Sequence, residues 1–349
     1  MDPASTFRSL LAGPAPVLAL APMQDVTDLE FWQLMRRYDG PDYYCTEYFR
    51  VYRGSCLDRT ILRSITDNPT GRPGMAQLIG NDIPELVRTA RELQQHPVAA
   101  IDLNLGCPAP VVYRKCAGGG LLRDPDRIDA ILGALREAVS IPFTVKTRVG
   151  FESPDLWDRL LEVFAKHALD LLVVHGRTVK EMYRTAVHHD LIARAVQRLS
   201  CPVIANGNVH SARQGWEVLR QTGARGLMIG RGAIRNPWIF RQFRALAAGH
   251  EPAVPTGRDV LTYLEALFAA THARGMTEHS HVQRLKKHMN YFGLGVEPTG
   301  CFLHRIRRVT SPNEFFAVCR DFLDHDQPMV LEPFDLPLRP DDLMAGIHR

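Results

Sequence analysis

Along the first two-thirds of the chain, short apolar, β-rich runs alternate with longer amphipathic stretches. Eight such runs occur: VLALAPM (17–23), YYCTEYF (43–49), GMAQLIG (74–80), AAIDLNLG (99–106), FTVKTRVG (143–150), LLVVHGR (171–177), PVIANGN (202–208) and GLMIGRG (226–232). Their length and flanking glycines predict strands buried on both faces. Helical spacing fills most of the gaps. Residues 83–95 place Leu86, Thr89, Ala90 and Leu93 on one face. Residues 125–139 open with Asp124 as N-cap and Pro125 at the first helical position, and 211–223 run from Ser211 to a terminating Gly223. Eight strands alternating with helices predict an α/β fold, a (β/α)8 TIM barrel. A doubly wound sheet is the runner-up, but no G-x-G-x-x-G follows the first run.

The pattern changes near residue 250. The segment GHEPAVPTGRD (249–259) reads as a linker, after which helical periodicity continues without strands over 260–275, 281–293, 301–309 and 312–325. The expected organisation is a barrel domain over 1–248, the linker 249–259 and a C-terminal all-helical domain over 260–349. Within 281–293, Leu285, Met289 and Phe292 form an apolar face, with Arg284, Lys287 and His288 largely to another side. Arg305, Arg307 and Arg308 add a second basic cluster. Such clusters bind phosphates, and they are also what a solvated basic face looks like.

Composition narrows the class. The chain has 349 residues, 45% of them hydrophobic, enough for a large core, and a net charge of +4, compatible with a nucleic-acid partner. Its seven cysteines are scattered and include no C-x-x-C, which argues against a disulfide framework or a zinc site and for a reducing cytoplasm. No segment is long and apolar enough to span a bilayer, so a soluble protein without membrane or metal is expected.

In a barrel the chemistry belongs at the carboxyl ends of the strands. Here those ends carry Met23, Glu47 with Arg50, Gln77, Asn104 with Cys107, Lys146 with Arg148, His175 with Arg177, Asn206 with Asn208, and Gly230 with Arg231. Any one of these also fits an ordinary polar strand end; eight at one end of a barrel do not. ANGNV (205–209) and IGRGAI (229–234) follow the seventh and eighth runs, where backbone N–H groups commonly hold a phosphate. Lys146 is costly inside a strand unless it meets a negative group. Cys107 directly follows the fourth run. Cys116 lies further along, beside Lys115 and ahead of AGGG, a stretch suited to a mobile or tightly turned loop.

Together, APM (21–23), TE (46–47), QL (77–78), LNLGCP (103–108), AGGGLLRDP (117–125), VKTRVG (145–150), VVHGRT (173–178), VIANGN (203–208) and MIGRGA (228–233) resemble the tRNA-dihydrouridine synthases. The resemblance covers residues 15–325. It implies an FMN-bearing barrel and a helical domain that together clamp tRNA, with NADPH (or NADH) as reductant. Hydride then passes from the flavin to C6 of a flipped-out uridine, and Cys107 protonates C5. It gives Ala21, Pro22, Met23, Gln77, Lys146, His175, Asn206, Gly207, Asn208, Gly230 and Arg231 to the flavin. Asn104 and Arg148 go to the uridine, and Arg177 to the RNA backbone. TEYFRV (46–51) and HVQRLKK (281–287) resemble a bacterial branch acting at position sixteen of the D-loop, which would give Arg50, Arg284 and Lys286 to the RNA. The expected partner is tRNA, met by a monomer. Two departures stand out: GCP is followed by Ala109 and Pro110 where many members have serine, and NGN (206–208) replaces the familiar NGD or NGE. A flavin oxidoreductase of free pyrimidines, a synthase acting on ribosomal RNA and a noncatalytic RNA-binding protein are the competing readings.

Overall fold

In the computed structural model, residues 2–273 and 275–335 are described, so residues 336–349 of the expected helical domain lie outside the description. Nine parallel strands form: β1 (Val17–Leu20), β2 (Tyr43–Cys45), β3 (Phe49–Arg50), β4 (Gly74–Ile79), β5 (Ala100–Leu105), β6 (Phe143–Arg148), β7 (Leu171–His175), β8 (Val203–Asn206) and β9 (Gly226–Ile229). β1 pairs with β2, the strands from β3 to β9 pair in chain order, β9 returns to β1, and β2 pairs with β4 rather than with β3. The closed ring therefore has eight strands and is the expected (β/α)8 barrel.

The second apolar run is not one strand. It breaks at residues 46–48, pairing Tyr44 with Gly74 before the break and Phe49 with Leu78 after it. Residues 44 to 49 thus span one residue more than 74 to 78. This extra residue has the character of a β-bulge, which turns a strand away and re-aims its side chains.

Inward-facing residues change character along each strand. Leu171 and Val173 lead to His175, Ile204 leads to Asn206, Met75 to Gln77, and Ala100 to Asp102 and Asn104. The apolar members of these series pack in one core cluster with Val17, Ala19, Cys45 and Met228. The period of two thus builds an apolar floor and a polar mouth from the same strands. At β9 the ring closes so tightly that a Cβ on Gly226 would lie 2.0 Å from the Val17 carbonyl oxygen, so only glycine fits.

A helix that the strand pattern does not announce, Pro3–Ala12, seals the floor. Asp2 caps it by accepting from the Ser5 N–H, and Phe7 meets Tyr43 edge-on with ring centroids 5.2 Å apart. Arg225 donates to the carbonyls of Leu10, Leu11, Gly13 and Ala15, fastening the helix and its exit. The other helices follow sequence logic closely. Ile83–Leu93 buries Leu86, Thr89, Ala90 and Leu93; Pro125–Ala138 is capped by Asp124; Ala212–Thr222 stops before Gly223, whose φ is +66°.

The chain forms two compact units. The first takes the residues up to Leu29, Pro41–Val209 and Gly215–Ile229, and so contains every strand found among the described residues. The second takes Glu30–Gly40, His210–Gln214 and the described residues from Gly230 to 335. It therefore includes 230–248 and the Pro-rich stretch 249–259 as well as the helices Gly257–Thr271, Glu278–Phe292, Cys301–Ile306 and Pro312–Leu323. In Glu278–Phe292 the buried face is His281, Val282, Leu285, His288, Met289 and Phe292. His288 thus belongs to the core rather than to the basic side, its ring 5.6 Å from that of Phe31. Helical spacing explains the discrepancy: 281, 285, 288 and 292 share one stripe.

Candidate active site

The mouth of the barrel gathers the side chains that the strand ends carry. On β4 and β5, Gln77 and Asp102 stand opposite each other in register, as do Asn104 and Lys146 on β5 and β6. Gln77 Nε2 donates to Asp102 Oδ2 at 2.8 Å, and Asn104 Nδ2 donates to Gln77 Oε1 at 2.7 Å. Asn104 Oδ1 accepts the N–H groups of Gly106 (3.0 Å) and Cys107 (2.9 Å). Thr144 closes the set by donating to Asp102 Oδ1 at 2.6 Å. Burial lifts the Asp102 carboxyl to about 6, against the pull of Thr144, Gln77 and the Lys146 charge.

Lys146 Nζ donates to Asn206 Oδ1 at 3.2 Å, and Asn206 Nδ2 in turn donates to the Met228 carbonyl at 2.7 Å. Burial, and then the charge of Arg148, bring Lys146 down to about 8. Among the described residues, no carboxylate is in salt-bridge contact with it. Arg148 is spread over the loops: Nε donates to the Gly106 carbonyl at 2.9 Å, and Nη1 to those of Thr178 (2.9 Å) and Met182 (3.0 Å). Arg177, also buried, holds Thr185 O through Nε at 2.7 Å and Asn208 Oδ1 through Nη1 at 3.2 Å. Asn208 adopts φ +48° and Gly207 φ +129°, so the NGN turn relies on a left-handed backbone.

Cys107 is half-buried at the end of β5. Burial pushes its thiol up from the usual range, opposed by the Ala109 N–H, the charge of Arg148, the Tyr48 hydroxyl and the charge of Lys146. It is thus held as a thiol, with groups at hand that would stabilise the thiolate. The triple glycine is not a loose lid. Gly118–Arg123 is a 3-10 turn whose glycines are buried, and the Gly119 N–H donates to the Cys107 carbonyl at 3.2 Å. A Cβ on Gly119 would lie 2.8 Å from that oxygen, so the glycines exist to let this turn pack beneath the cysteine. Cys116, by contrast, is exposed.

The remaining expected residues divide. Ala21 pairs with the Ile229 carbonyl, Pro22 follows, and the Met23 N–H donates to Thr27 Oγ1 at 2.7 Å, so APM is a fixed turn at the end of β1. His175 ends β7 with its ring centroid 6.1 Å from that of Tyr183. Arg50 is exposed on β3, its guanidinium 5.8 Å from the Tyr48 ring centroid. Gly230 and Arg231 lie in the second unit, where Gly230 precedes the short helix Arg231–Arg235. Arg284 and Lys286 are also in that unit. Arg284 donates to the Thr271 carbonyl at 2.8 Å and lies 3.6 Å from Glu30. Tyr48 and Tyr183 have no counterpart among the sequence expectations. Tyr183 covers Arg148 at 5.4 Å from a loop of no periodicity, and Tyr48, within the break in the second run, hydrogen-bonds Cys107. Asp102 is readable as sharing a face with Asn104, but its partners on β4 and β6 are not.

A model of the dihydrouridine synthase domain matches residues 19–326. The chain belongs to the dihydrouridine synthase family. As a member it is an oxidoreductase. It is 32% identical over 319 residues to "tRNA-dihydrouridine synthase B" of Xanthomonas axonopodis pv. citri, spanning 89% of this chain and 93% of that protein. The protein of the same name from Pseudomonas aeruginosa is 34% identical over 316 residues, with the same two coverages. A "probable tRNA-dihydrouridine synthase" of Rhodobacter capsulatus is 31% identical over 260 residues, 73% of this chain and 79% of that one. Among solved structures, histamine dehydrogenase from Rhizobium sp. 4-9 aligns with a TM-score of 0.54 at 13% identity, over 97% of this chain and 67% of that one, a likeness of fold alone. Among the described residues of this synthase-family chain, no helix is long and apolar enough to cross a membrane.

Proposed function

We propose that this chain reduces a uridine of tRNA to dihydrouridine, using FMN held at the barrel mouth and NADPH as reductant. The observation that carries this reading is Lys146, a half-buried cation in the strand-end ring with no carboxylate in salt-bridge contact, beside a cysteine held as a thiol. A half-buried positive charge calls for an anionic or electron-rich partner, and the neighbouring Asn104 amide and His175 ring suit the heteroatom edge of an isoalloxazine. The donor set fits FMN.

In this reading Ala21, Pro22, Met23, Gln77, Lys146 and His175 hold the ring. Asn206, Gly207 and Asn208 with Gly230 and Arg231 serve the ribityl phosphate. Bound and reduced, the flavin supplies the hydride for C6 of the uridine. Cys107 Sγ holds the proton for C5 and releases it there. The thiolate left behind faces the Arg148 and Lys146 charges and the Ala109 N–H, which offset its burial. Asn104 and Arg148 orient the pyrimidine, and Arg177 the adjoining backbone, once the base is out of its stack. The target lies in the D-loop, with position sixteen the first to examine. Purified protein is expected to carry flavin absorbance that bleaches on adding NADPH; well-folded protein that binds no flavin would contradict the reading.

Arg50, Arg284 and Lys286 are assigned to tRNA contact, Arg284 being anchored through the Thr271 carbonyl at the end of the preceding helix. Lys286→Ala is expected to lower tRNA affinity and to reduce the salt slope of binding by about one. Filter binding across a salt series checks it, and an unchanged slope would remove Lys286 from the RNA surface.

A further inference from the structure

Asp102 takes no part in the proton or hydride transfers described above, yet it stands at the head of a continuous line of hydrogen bonds that ends on the loop of Cys107. Gln77 Nε2 donates to Asp102, Asn104 Nδ2 donates to Gln77 Oε1, and Asn104 Oδ1 receives the Gly106 and Cys107 N–H groups. Every link is between 2.7 and 3.0 Å, and all three side chains are buried.

A side-chain amide is nearly symmetric in shape but not in hydrogen bonding: one end donates and the other accepts. Two amides in series therefore transmit a polarity. With an acceptor at 102, Gln77 must turn its NH2 group to that side, which leaves Oε1 for Asn104. Asn104 then turns its own oxygen to the two loop N–H groups. With Gln77 reversed, its oxygen would face the carboxylate and its NH2 would face that of Asn104. Both ends of the line agree on one polarity only when residue 102 accepts. Lys146 on β6 and Cys45 and Tyr43 on β2 are the titratable groups facing Asp102, and only the lysine favours its charge.

We propose that Asp102 is a positioning residue whose carboxylate fixes the orientation of Gln77 and Asn104 and so holds the Cys107 loop in place at the barrel mouth. The catalytic value of this tether rests on Cys107 being the proton donor; the tether itself does not.

The test reads the loop directly, without relying on turnover. In FMN-loaded protein, the rate of Cys107 alkylation by iodoacetamide is followed by peptide mass spectrometry, alongside hydrogen exchange of the peptide 103–109. Asp102→Ala is expected to speed both by roughly two- to tenfold, the range for losing one buried hydrogen bond. Asn104→Ala is expected to do the same, and the double variant no more than either alone, because both act through one line. Asp102→Asn restores near wild-type rates by turning its oxygen to Gln77 and its NH2 to Thr144 Oγ1, and adding Thr144→Val removes that rescue. Should Asp102→Ala not fold, the last two variants decide, and equal rates in the pair would overturn the proposal. It is also overturned if Asp102→Ala lowers Tm yet leaves both rates unchanged, or if the effects at 102 and 104 multiply. Absence of dihydrouridine formation in the wild-type protein, with the tether pattern intact, would instead sink the functional reading and leave this one standing.

Discussion

Cys107→Ala is expected to lower dihydrouridine formation by roughly 10²- to 10⁴-fold, the usual contribution of a positioned general acid, while NADPH still bleaches the flavin. The physical reason lies in two opposed influences on one sulfur. Burial keeps it protonated at neutral pH, and the Arg148 and Lys146 charges, the Ala109 N–H and the Tyr48 hydroxyl stand ready to receive the thiolate. Alanine removes the proton donor but leaves the Asn104 tether, which bonds the backbone N–H of residue 107 rather than its side chain. Cys116→Ala is expected to retain activity, since that residue is exposed and the buried glycines behind it, not its sulfur, pack against the Cys107 loop. Single-turnover mixing of prereduced enzyme with tRNA, with nucleosides read by mass spectrometry, separates the two. A fully active Cys107→Ala enzyme would mean that another group delivers the proton.

Lys146→Met is expected to be the second large effect: loss of most bound flavin, or a cofactor that NADPH reduces at least tenfold more slowly if one lost charge contact is worth about 1.4 kcal/mol or more. The methionine keeps the stem's volume, so the change isolates the charge. The same argument gives a pH dependence. Burial and Arg148 bring this lysine to about 8, so its positive charge is present below that pH and lost as pH rises through it. Flavin affinity is therefore expected to fall between about pH 7 and 9 in the wild type and to be flat there in Lys146→Met. Fluorescence titration of the apoprotein with FMN checks both, and a flat wild-type profile would show that the lysine charge does not hold the cofactor.

The barrel was legible because its signal is local. Each strand announces itself as a short apolar run, and the period of two assigns Asn104, Lys146, His175 and Asn206 to the mouth without any knowledge of the neighbours. The helix Ala212–Thr222 was legible for the same reason, through Ser211 and Gly223 at its ends. What escaped depends on contacts between distant segments. The break at 46–48 is a difference in register against β4, which no pattern within the second run reveals. Asp102 reads as one more polar strand residue until Gln77 and Thr144 are brought to either side of it. Tyr183 reaches Arg148 from a loop without periodicity. His288 is basic in type but sits on the apolar stripe by helical position, and position decides its place, with 0% exposure. Of the two expectations for the AGGG stretch, a mobile or a tightly turned loop, the structure has the tight turn, with the Cys107 carbonyl oxygen against the backbone of Gly119.

The mouth of this barrel is proposed to reduce a uridine within RNA rather than a free base. The most direct measurement supplies the purified flavoprotein and NADPH with an unmodified tRNA transcript in one vessel and with uracil or orotate in another. Mass spectrometry then finds which pyrimidine gains two hydrogens. The gain is expected at a D-loop uridine of the transcript and not in the free bases; reduction of the free bases with the transcript untouched would mean a small-molecule oxidoreductase instead.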